Sequence, residues 1–288
     1  MESGSDTLLN EFAERLFAGK WIAGQYISDA IAASRDLNRS NMTAIVNYLG
    51  ELYTEKDKVE KTVNTYMKLV KEIKKGKVHA EISVKITQLG LLIGKSFANK
   101  NYSMIVDFAK RNRVFVWLDM EEHNYVSSTL EIFKSKAHGR NTGICIQSYL
   151  KRSMSDLRSL SKLDANIRLV KGAHGVTSAL GYPNRADATK NYAVLMDYLF
   201  KHFSRFTIAT HDLDVIDTAL KLRKRYKKEV TFAMLRGIRS DYALSLARKG
   251  NDVSVYVPFG EEWIPYSYRR LKEWSNFKLI ARSLLPTQ

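Results

Sequence analysis

The sequence contains only one cysteine, Cys145, among its 288 residues. A single thiol excludes a disulfide framework and a cysteine-based metal site, and such sparing use of cysteine is typical of a reducing compartment. Cys145 lies between Ile144 and Ile146, so we expect it to be a small buried side chain rather than a nucleophile.

Long apolar runs and prolines are also scarce. No apolar stretch approaches the roughly 18 residues that a membrane-spanning helix needs, and Met1-Glu-Ser-Gly-Ser-Asp lacks the basic start of a secretory signal. The four prolines are scattered, and no low-complexity tract or evident linker interrupts the chain. We therefore expect a cytoplasmic protein with ample material for a core, built as one large domain or two small ones.

Positive charge is in clear excess, because 46 lysines and arginines face 30 aspartates and glutamates, for a net charge of +16. Such an excess attracts nucleic acid or anionic lipid headgroups. The main basic clusters, around Lys74 and around Lys224, fall at the ends of predicted helices, where cations complement the helix dipole. We interpret them as solvated faces. No zinc-finger spacing or basic heptad pattern accompanies them, and we expect no nucleic-acid partner.

Short β-branched or aromatic runs alternate with helical stretches along the chain. The eight runs begin at Thr43, Glu81, Val114, Gly143, Asn166, Phe206, Val230 and Val253. Between the first two, Val63, Tyr66, Met67 and Val70 have the spacing of an amphipathic helix. This alternation predicts parallel βαβ units and a (β/α)8 barrel over residues 43–288, with residues 1–42 forming extra helices packed on it. The alternative is an open doubly wound sheet, but no Gly-x-Gly-x-x-Gly follows any strand.

Functional residues of such barrels lie at the C-terminal ends of the strands. Polar residues stand at six of these predicted ends: Lys85, Asp119, Gln147, Arg168 with Lys171, Thr210 with His211, and Tyr256. Further along, Arg269 and Arg270 offer adjacent guanidinium groups, which suit a carboxylate or a phosphate. We therefore predict a pocket for a small anionic ligand at the mouth of the barrel.

Five motifs in chain order carry a family resemblance. They are Val114-Phe-Val-Trp-Leu-Asp119-Met-Glu-Glu, Ile167-Arg168-Leu-Val-Lys171-Gly-Ala, Ile208-Ala-Thr210-His211-Asp, Phe232-Ala-Met-Leu235-Arg-Gly-Ile-Arg, and Tyr256-Val-Pro-Phe-Gly followed by Tyr266-Ser-Tyr-Arg269-Arg270. From about residue 43 to 275 the chain resembles proline dehydrogenase of the small monofunctional bacterial and archaeal type. The resemblance implies an FAD enzyme that oxidises L-proline to 1-pyrroline-5-carboxylate and passes the electrons to a membrane quinone.

The resemblance also implies roles for single residues. On the substrate side they fall on Lys85, Asp119, Leu235, Tyr256, Tyr266, Arg269 and Arg270, with Glu51 as the candidate partner of the first arginine. The arginines and Lys85 would hold the proline carboxylate, and a final helix would carry the arginines over the barrel mouth. The implied FAD contacts are Gln147, Arg168, Val170, Lys171, Gly172, Ala173, Arg185, Thr210 and His211. No metal site is implied.

Three positions depart from the family pattern, all on the cofactor side. His174-Gly175 follows Lys-Gly-Ala where the family has an aromatic residue, Asn184 replaces the arginine of an Arg-Lys pair, and Thr231 replaces a glutamate. These departures bear on the affinity for FAD more than on the reaction.

Two other classes of function remain open from the residues alone. One is an aldolase-type barrel in which Lys85 or Lys171 forms a Schiff base. The other is a non-enzymatic basic protein that binds nucleic acid or lipid. If a membrane quinone is the acceptor, we expect peripheral contact with the anionic inner face of a membrane, since the chain has no predicted span.

Overall fold

Eight parallel strands, β1 to β8 in chain order, close into a barrel in the computed structural model, which describes residues 19–136, 141–172 and 177–263. The strands are β1 Thr43–Tyr48, β2 Ala80–Val84, β3 Val116–Leu118, β4 Thr142–Gln147, β5 Asn166–Val170, β6 Phe206–Ala209, β7 Thr231–Leu235 and β8 Asp252–Phe259. Closure occurs between β1 and β8, where Ile45 lies opposite Tyr256. The predicted (β/α)8 barrel is confirmed, and the open-sheet alternative is wrong.

An α-helix follows each of the first seven strands. The helices are α1 Ile27–Arg39, α2 Lys56–Lys75, α3 Lys95–Arg111, α4 Val126–Lys136, α5 Ser153–Ser161, α6 Arg185–His202, α7 Leu213–Tyr226 and α8 Ser240–Arg248, with a short 3-10 helix at His123–Tyr125. The predicted amphipathic helix is α2, which buries Val63, Tyr66 and Val70. Among the described residues, no helix has both the length and the apolar character needed to cross a membrane.

Helix α1 precedes the barrel and packs against β1 and β8. It belongs to the segment predicted to form extra N-terminal helices. The division between residues 1–42 and 43–288 stays a prediction. The predicted final helix over the barrel mouth lies within residues 264–288, outside the described residues.

Alternation along the strands separates two environments. Outward residues such as Ile82, Val116 and Leu118 are fully buried against the helices. Inward residues include a small apolar group around Ile45 and Trp117. Much of the remaining interior is polar, and its buried inward side chains include Asn47, Ser83, Asp119, Gln147 and Arg168. Because successive side chains of a strand point to opposite faces, these polar groups share the lumen.

Two strand ends differ from the predicted ones. β5 ends at Val170, so Lys171 lies in the loop at the mouth rather than on the strand. β8 continues through Pro258 to Phe259, although the sequence Pro258-Phe-Gly predicts a turn that ends the strand. Pro258 has no N–H to donate to the sheet, and its carbonyl accepts the Ala23 N–H at 2.8 Å. The chain turns at Gly260, where φ is 130°.

Candidate active site at the barrel mouth

Asp119 follows β3 and is the common acceptor of four side chains inside the barrel. The Tyr256 hydroxyl donates to Oδ2 at 2.7 Å and the Ser83 hydroxyl to Oδ1 at 2.8 Å. Arg168 forms an ion pair with Oδ1, and the Cys145 thiol lies 3.5 Å from the same oxygen. Five different strands or strand ends thus meet at one carboxylate.

The electrostatic setting keeps Asp119 ionised. Burial alone would raise its pKa, but the charges of Arg168 and Lys85 and the hydrogen bonds from Tyr256 and Ser83 hold the pKa below its usual value. A permanent anion here stabilises cations that would otherwise repel one another across the mouth.

Arg168 is almost fully buried, with 3% of its side chain exposed. Its Nε donates to the Cys145 sulfur at 2.9 Å, and its Nη2 donates to Ser83 at 3.0 Å and to Asp119. The guanidinium also lies between two rings, 5.0 Å from Trp117 and 5.5 Å from Tyr256. Its Nη1 is buried and has no hydrogen-bond partner among the described residues. A buried donor left unsatisfied is costly, so this atom indicates a ligand.

Gln147 presents a second atom of this kind. Its Nε2 donates to the carbonyl groups of Met120 at 3.1 Å and Glu121 at 3.2 Å, which ties the end of β4 to the loop after β3. Its Oε1 is buried without a hydrogen-bond partner in the part of the chain that the structure describes. Within the described residues, the neighbouring strands β4 and β5 therefore offer one donor and one acceptor that have no partner in the lumen.

Lys85 lies just past β2, with its Nζ 3.4 Å from the Asn47 side chain. Its charge favours the ionised forms of two carboxyl groups: it helps to lower the pKa of Asp119 and partly opposes the rise in the pKa of Glu121. Glu121 had no predicted role. It accepts hydrogen bonds from the Thr87 backbone N–H at 3.0 Å and from the Thr87 hydroxyl, and its pKa is raised, chiefly by burial. The spacing of two carboxylates in Asp119-Met-Glu121 is the sequence feature that could have indicated a role for Glu121.

The loop after β5 combines a glycine, Gly172, with a lysine, Lys171. Gly172 has a φ of 91°, and a Cβ atom there would collide with the Tyr149 ring, so only glycine fits. Lys171 is partly buried, and both its burial and the charge of Arg185 lower its pKa. Asn184 caps α6, because its side-chain oxygen accepts the Asp187 N–H at 2.8 Å. The departure at Asn184 therefore has a structural reason.

Four more predicted residues lie at the ends of β5, β6 and β7. The His211 Nε2 accepts the backbone N–H of Leu235 at 2.9 Å. Thr210 accepts the Asp212 N–H at 3.1 Å, which starts α7. Val170, at the end of β5, is partly buried. Leu235 packs with Trp263 against a separate apolar cluster that includes Trp21.

Glu51 is partly buried in the loop between β1 and α2, and this loop is tied to the end of β8. The Tyr53 hydroxyl donates to Glu262 at 2.7 Å, and Lys61 pairs with Glu261 at 3.2 Å. The chain that leads to the paired arginines therefore departs beside the Glu51 loop. Ala173, Tyr266, Arg269 and Arg270, and the departures His174 and Gly175, lie outside the described residues.

The interior cluster contains residues that pattern reasoning missed. Ser83 and Trp117 had no predicted role, yet both contact Arg168. Cys145 is buried, as predicted, and burial raises the pKa of its thiol to about 12. Its sulfur also accepts a hydrogen bond from Arg168, so it serves as a polar partner as well as a core side chain.

Comparison with known proteins decides the family. The family model described as proline dehydrogenase matches residues 30–278. The chain belongs to the proline dehydrogenase family. Proline dehydrogenase 1 of Bacillus subtilis is 31% identical over 279 residues, which cover 95% of this chain and 92% of the relative. Proline dehydrogenase of Deinococcus radiodurans is 33% identical over 278 residues, covering 93% and 90%.

A solved structure shares the fold. Proline utilization A from Bdellovibrio bacteriovorus, inactivated by N-propargylglycine, superposes with a TM-score of 0.83 at 23% identity. The match covers 94% of this chain and 36% of that longer one. The chain is therefore an oxidoreductase of the proline dehydrogenase family on a (β/α)8 barrel. The comparisons support neither the Schiff-base aldolase nor the non-enzymatic binding protein.

Membership in the proline dehydrogenase family implies a flavin, and the described residues fit one. A flavin ring carries carbonyl and N–H groups along its polar edge, which match a buried donor such as Arg168 Nη1 and a buried acceptor such as Gln147 Oε1. Gly172 lets the chain turn at the same mouth, beside Tyr149 and Gln147. These observations are independent of the family comparison and agree with it.

Proposed function

We propose that this chain oxidises L-proline to 1-pyrroline-5-carboxylate with FAD as its cofactor. The observation that carries the proposal is the buried Asp119–Arg168 cluster at the mouth of the barrel, with Nη1 of Arg168 lacking a partner among the described residues, in a chain of this family.

On the substrate side, the carboxylate of proline needs cations and the ring needs a packed surface. Lys85, Arg269 and Arg270 supply the cations, and Asp119 is their counter-ion. The hydrogen bond to Asp119 fixes the hydroxyl of Tyr256, which leaves the ring of Tyr256 to pack against the substrate. Leu235, Tyr266 and Glu51 complete the proposed pocket. The amine of proline must be neutral before hydride leaves, and clustered cations favour that state.

On the cofactor side, Arg168 and Gln147 would bind the polar edge of the flavin ring. When bound, FAD supplies the hydride acceptor for this reaction. Val170, Gly172, Ala173, Thr210 and His211 line the proposed path for the rest of the cofactor. Lys171 and Arg185 lie close enough that the charge of Arg185 helps to lower the pKa of Lys171. Two neighbouring cations of this kind suit a phosphate group. The residues thus orient the reactants and hold charge, while the cofactor accepts the hydride.

The function is tested by identifying both the cofactor and the product. Mass spectrometry of the flavin released by denaturation should find FAD rather than FMN. Incubation with L-proline and an artificial electron acceptor should yield 1-pyrroline-5-carboxylate, trapped by o-aminobenzaldehyde. A flavin-loaded protein that forms no such adduct would contradict the proposed reaction.

Tyr256→Ser should shift specificity from proline toward 4-hydroxyproline. Removing the ring opens space for the added hydroxyl, and a packed pocket discriminates by about 1–3 kcal/mol per small group. We expect the ratio of kcat/KM for hydroxyproline to that for proline to rise about tenfold. Tyr256→Phe is the matched control, since it keeps the ring and loses only the hydrogen bond to Asp119, and its ratio should stay near the native value. An unchanged ratio in Tyr256→Ser would reject the role.

Electrons are proposed to pass to a membrane quinone, which requires peripheral contact with a membrane. The net charge of +16 supports attraction to an anionic leaflet, at about 1 kcal/mol per well-placed cation. The candidate contacts are the basic ends of α2 around Lys74 and of α7 around Lys224. The protein should co-sediment with anionic vesicles at low salt and be released as salt rises. Absence of binding to anionic vesicles at low salt would point to a soluble acceptor.

A further inference from the structure

A second carboxylate, Glu81, lies inside the barrel near the start of β2, two residues before Ser83 on the same inward face. The indole N–H of Trp117 donates to its Oε2 at 2.6 Å. Burial raises the pKa of Glu81, while this hydrogen bond and the charge of Arg168 lower it. Glu81 lies at the N-terminal end of β2, away from the strand ends that carry the proline site and the proposed cofactor contacts, so those roles do not account for it.

Trp117 connects Glu81 to the proposed cofactor site. It lies two residues before Asp119 and is buried in the lumen. One hydrogen bond fixes the indole at Glu81, and the guanidinium of Arg168 lies 5.0 Å from the ring. The neighbouring strand β4 leaves room for this ring at Gly143, where a Cβ atom would collide with the indole. Trp117 is thus held at its indole N–H by Glu81 and along its ring by the space above Gly143.

The guanidinium plane of Arg168 is constrained by its hydrogen bonds and by two rings, since it lies 5.0 Å from Trp117 and 5.5 Å from Tyr256. Its hydrogen bonds run from Nε to Cys145 and from Nη2 to Ser83 and Asp119, along two of its nitrogens. The rings of Trp117 and Tyr256 limit how far the guanidinium plane can tilt. The direction of Nη1, the nitrogen without a partner among the described residues, follows from that plane.

We propose that Glu81 and Trp117 are positioning residues, a prop within the barrel that sets the orientation of Arg168 toward the flavin. The inference rests on the proposed binding of flavin at Arg168. In this proposal both residues act through Arg168 rather than on the substrate or the reacting atoms. Displacing the prop changes the position of a buried cation beside the cofactor, and this changes the relative stability of oxidised and reduced flavin.

The test uses the two-electron reduction potential of the bound flavin, measured by dye equilibration without proline. Trp117→Phe keeps an aromatic ring but removes the donor to Glu81, and Glu81→Leu removes the acceptor. We expect both variants to change the equilibrium between oxidised and reduced flavin about tenfold, which corresponds to about 30 mV. Glu81→Gln keeps an acceptor for the indole and should restore a potential near the native one.

Ile45→Val controls for general loosening of the barrel interior. Ile45 is fully buried in the same apolar group as Trp117, and it forms no contact with Arg168 in the cation–ring or hydrogen-bond network described above. This variant should lower the melting temperature and leave the potential unchanged. If Trp117→Phe does not fold, Glu81→Leu and Glu81→Gln carry the same comparison.

Shifted potentials in Trp117→Phe and Glu81→Leu, with rescue in Glu81→Gln, support the prop. Native potentials in folded Trp117→Phe and Glu81→Leu overturn it, and so does an equal shift in Ile45→Val. Because the potential is measured without proline, these outcomes do not depend on the proposed substrate. A native protein that binds no flavin would instead refute the proposed function.

Discussion

Asp119→Ala is expected to lower the free energy of unfolding by about 3–5 kcal/mol, because it leaves the buried charge of Arg168 without its partner. The same change removes the acceptor of the hydrogen bonds from Tyr256 and Ser83. Flavin binding should weaken with it, since Arg168 is then free to move. Urea denaturation measures the first effect, and the flavin content of the purified protein measures the second.

A double variant separates the cost of the unpaired Arg168 charge from the cost of losing the Asp119 side chain. Asp119→Leu combined with Arg168→Met replaces the pair with apolar side chains and should recover much of the lost stability, while activity stays low.

The folded pKa of Asp119 is depressed, so the stability from its ionised form is present above the unfolded pKa and is lost as pH falls through the folded value. The difference between native protein and Asp119→Ala should therefore shrink in acid. An Asp119→Ala protein as stable as the native one at neutral pH would contradict the buried pair.

Arg269→Met and Arg270→Met are each expected to lower kcat/KM for L-proline by roughly 30-fold to several thousand-fold, with FAD retained. This corresponds to a loss of about 2–5 kcal/mol in transition-state stabilisation. Each change removes half of the proposed clamp on the substrate carboxylate. Arg168→Met is the contrasting variant, because its proposed contact is with the flavin, and it should lose cofactor as well as activity. Steady-state kinetics and flavin absorbance distinguish the two classes. Loss of flavin in the Arg270 variant, with normal kcat/KM on reconstitution, would reject the clamp.

The barrel was predictable because its signals are local. Each strand is a short apolar or β-branched run, and each helix has its own periodicity, as in α2 around Tyr66. Polar residues at strand ends, such as Asp119 and Gln147, pointed to the mouth because parallel strands place their ends together. The exact ends were less predictable, since β8 continues through Pro258 and Lys171 falls just outside β5.

The pairing of side chains across the lumen could not be read from the sequence. Arg168 and Ser83 are 85 residues apart, and nothing local indicates that they share a hydrogen bond. The contact between Glu81 and Trp117 likewise depends on barrel closure and on the bare backbone of Gly143. From the sequence, Asn184 was interpreted as the loss of a contact with the cofactor, but in the structure its side chain caps the N-terminus of α6. Long-range complementarity of this kind appears only once the strands are in register.

The central claim is that the Asp119–Arg168 cluster holds a flavin where L-proline can reduce it. Anaerobic titration of the purified, flavin-loaded native protein with L-proline tests this most directly, with the visible absorbance of the flavin as the signal. We predict that L-proline bleaches the bound flavin without any added catalyst and that readmitting an electron acceptor restores the colour. A flavin that dithionite bleaches but that stays oxidised in saturating L-proline would contradict the account.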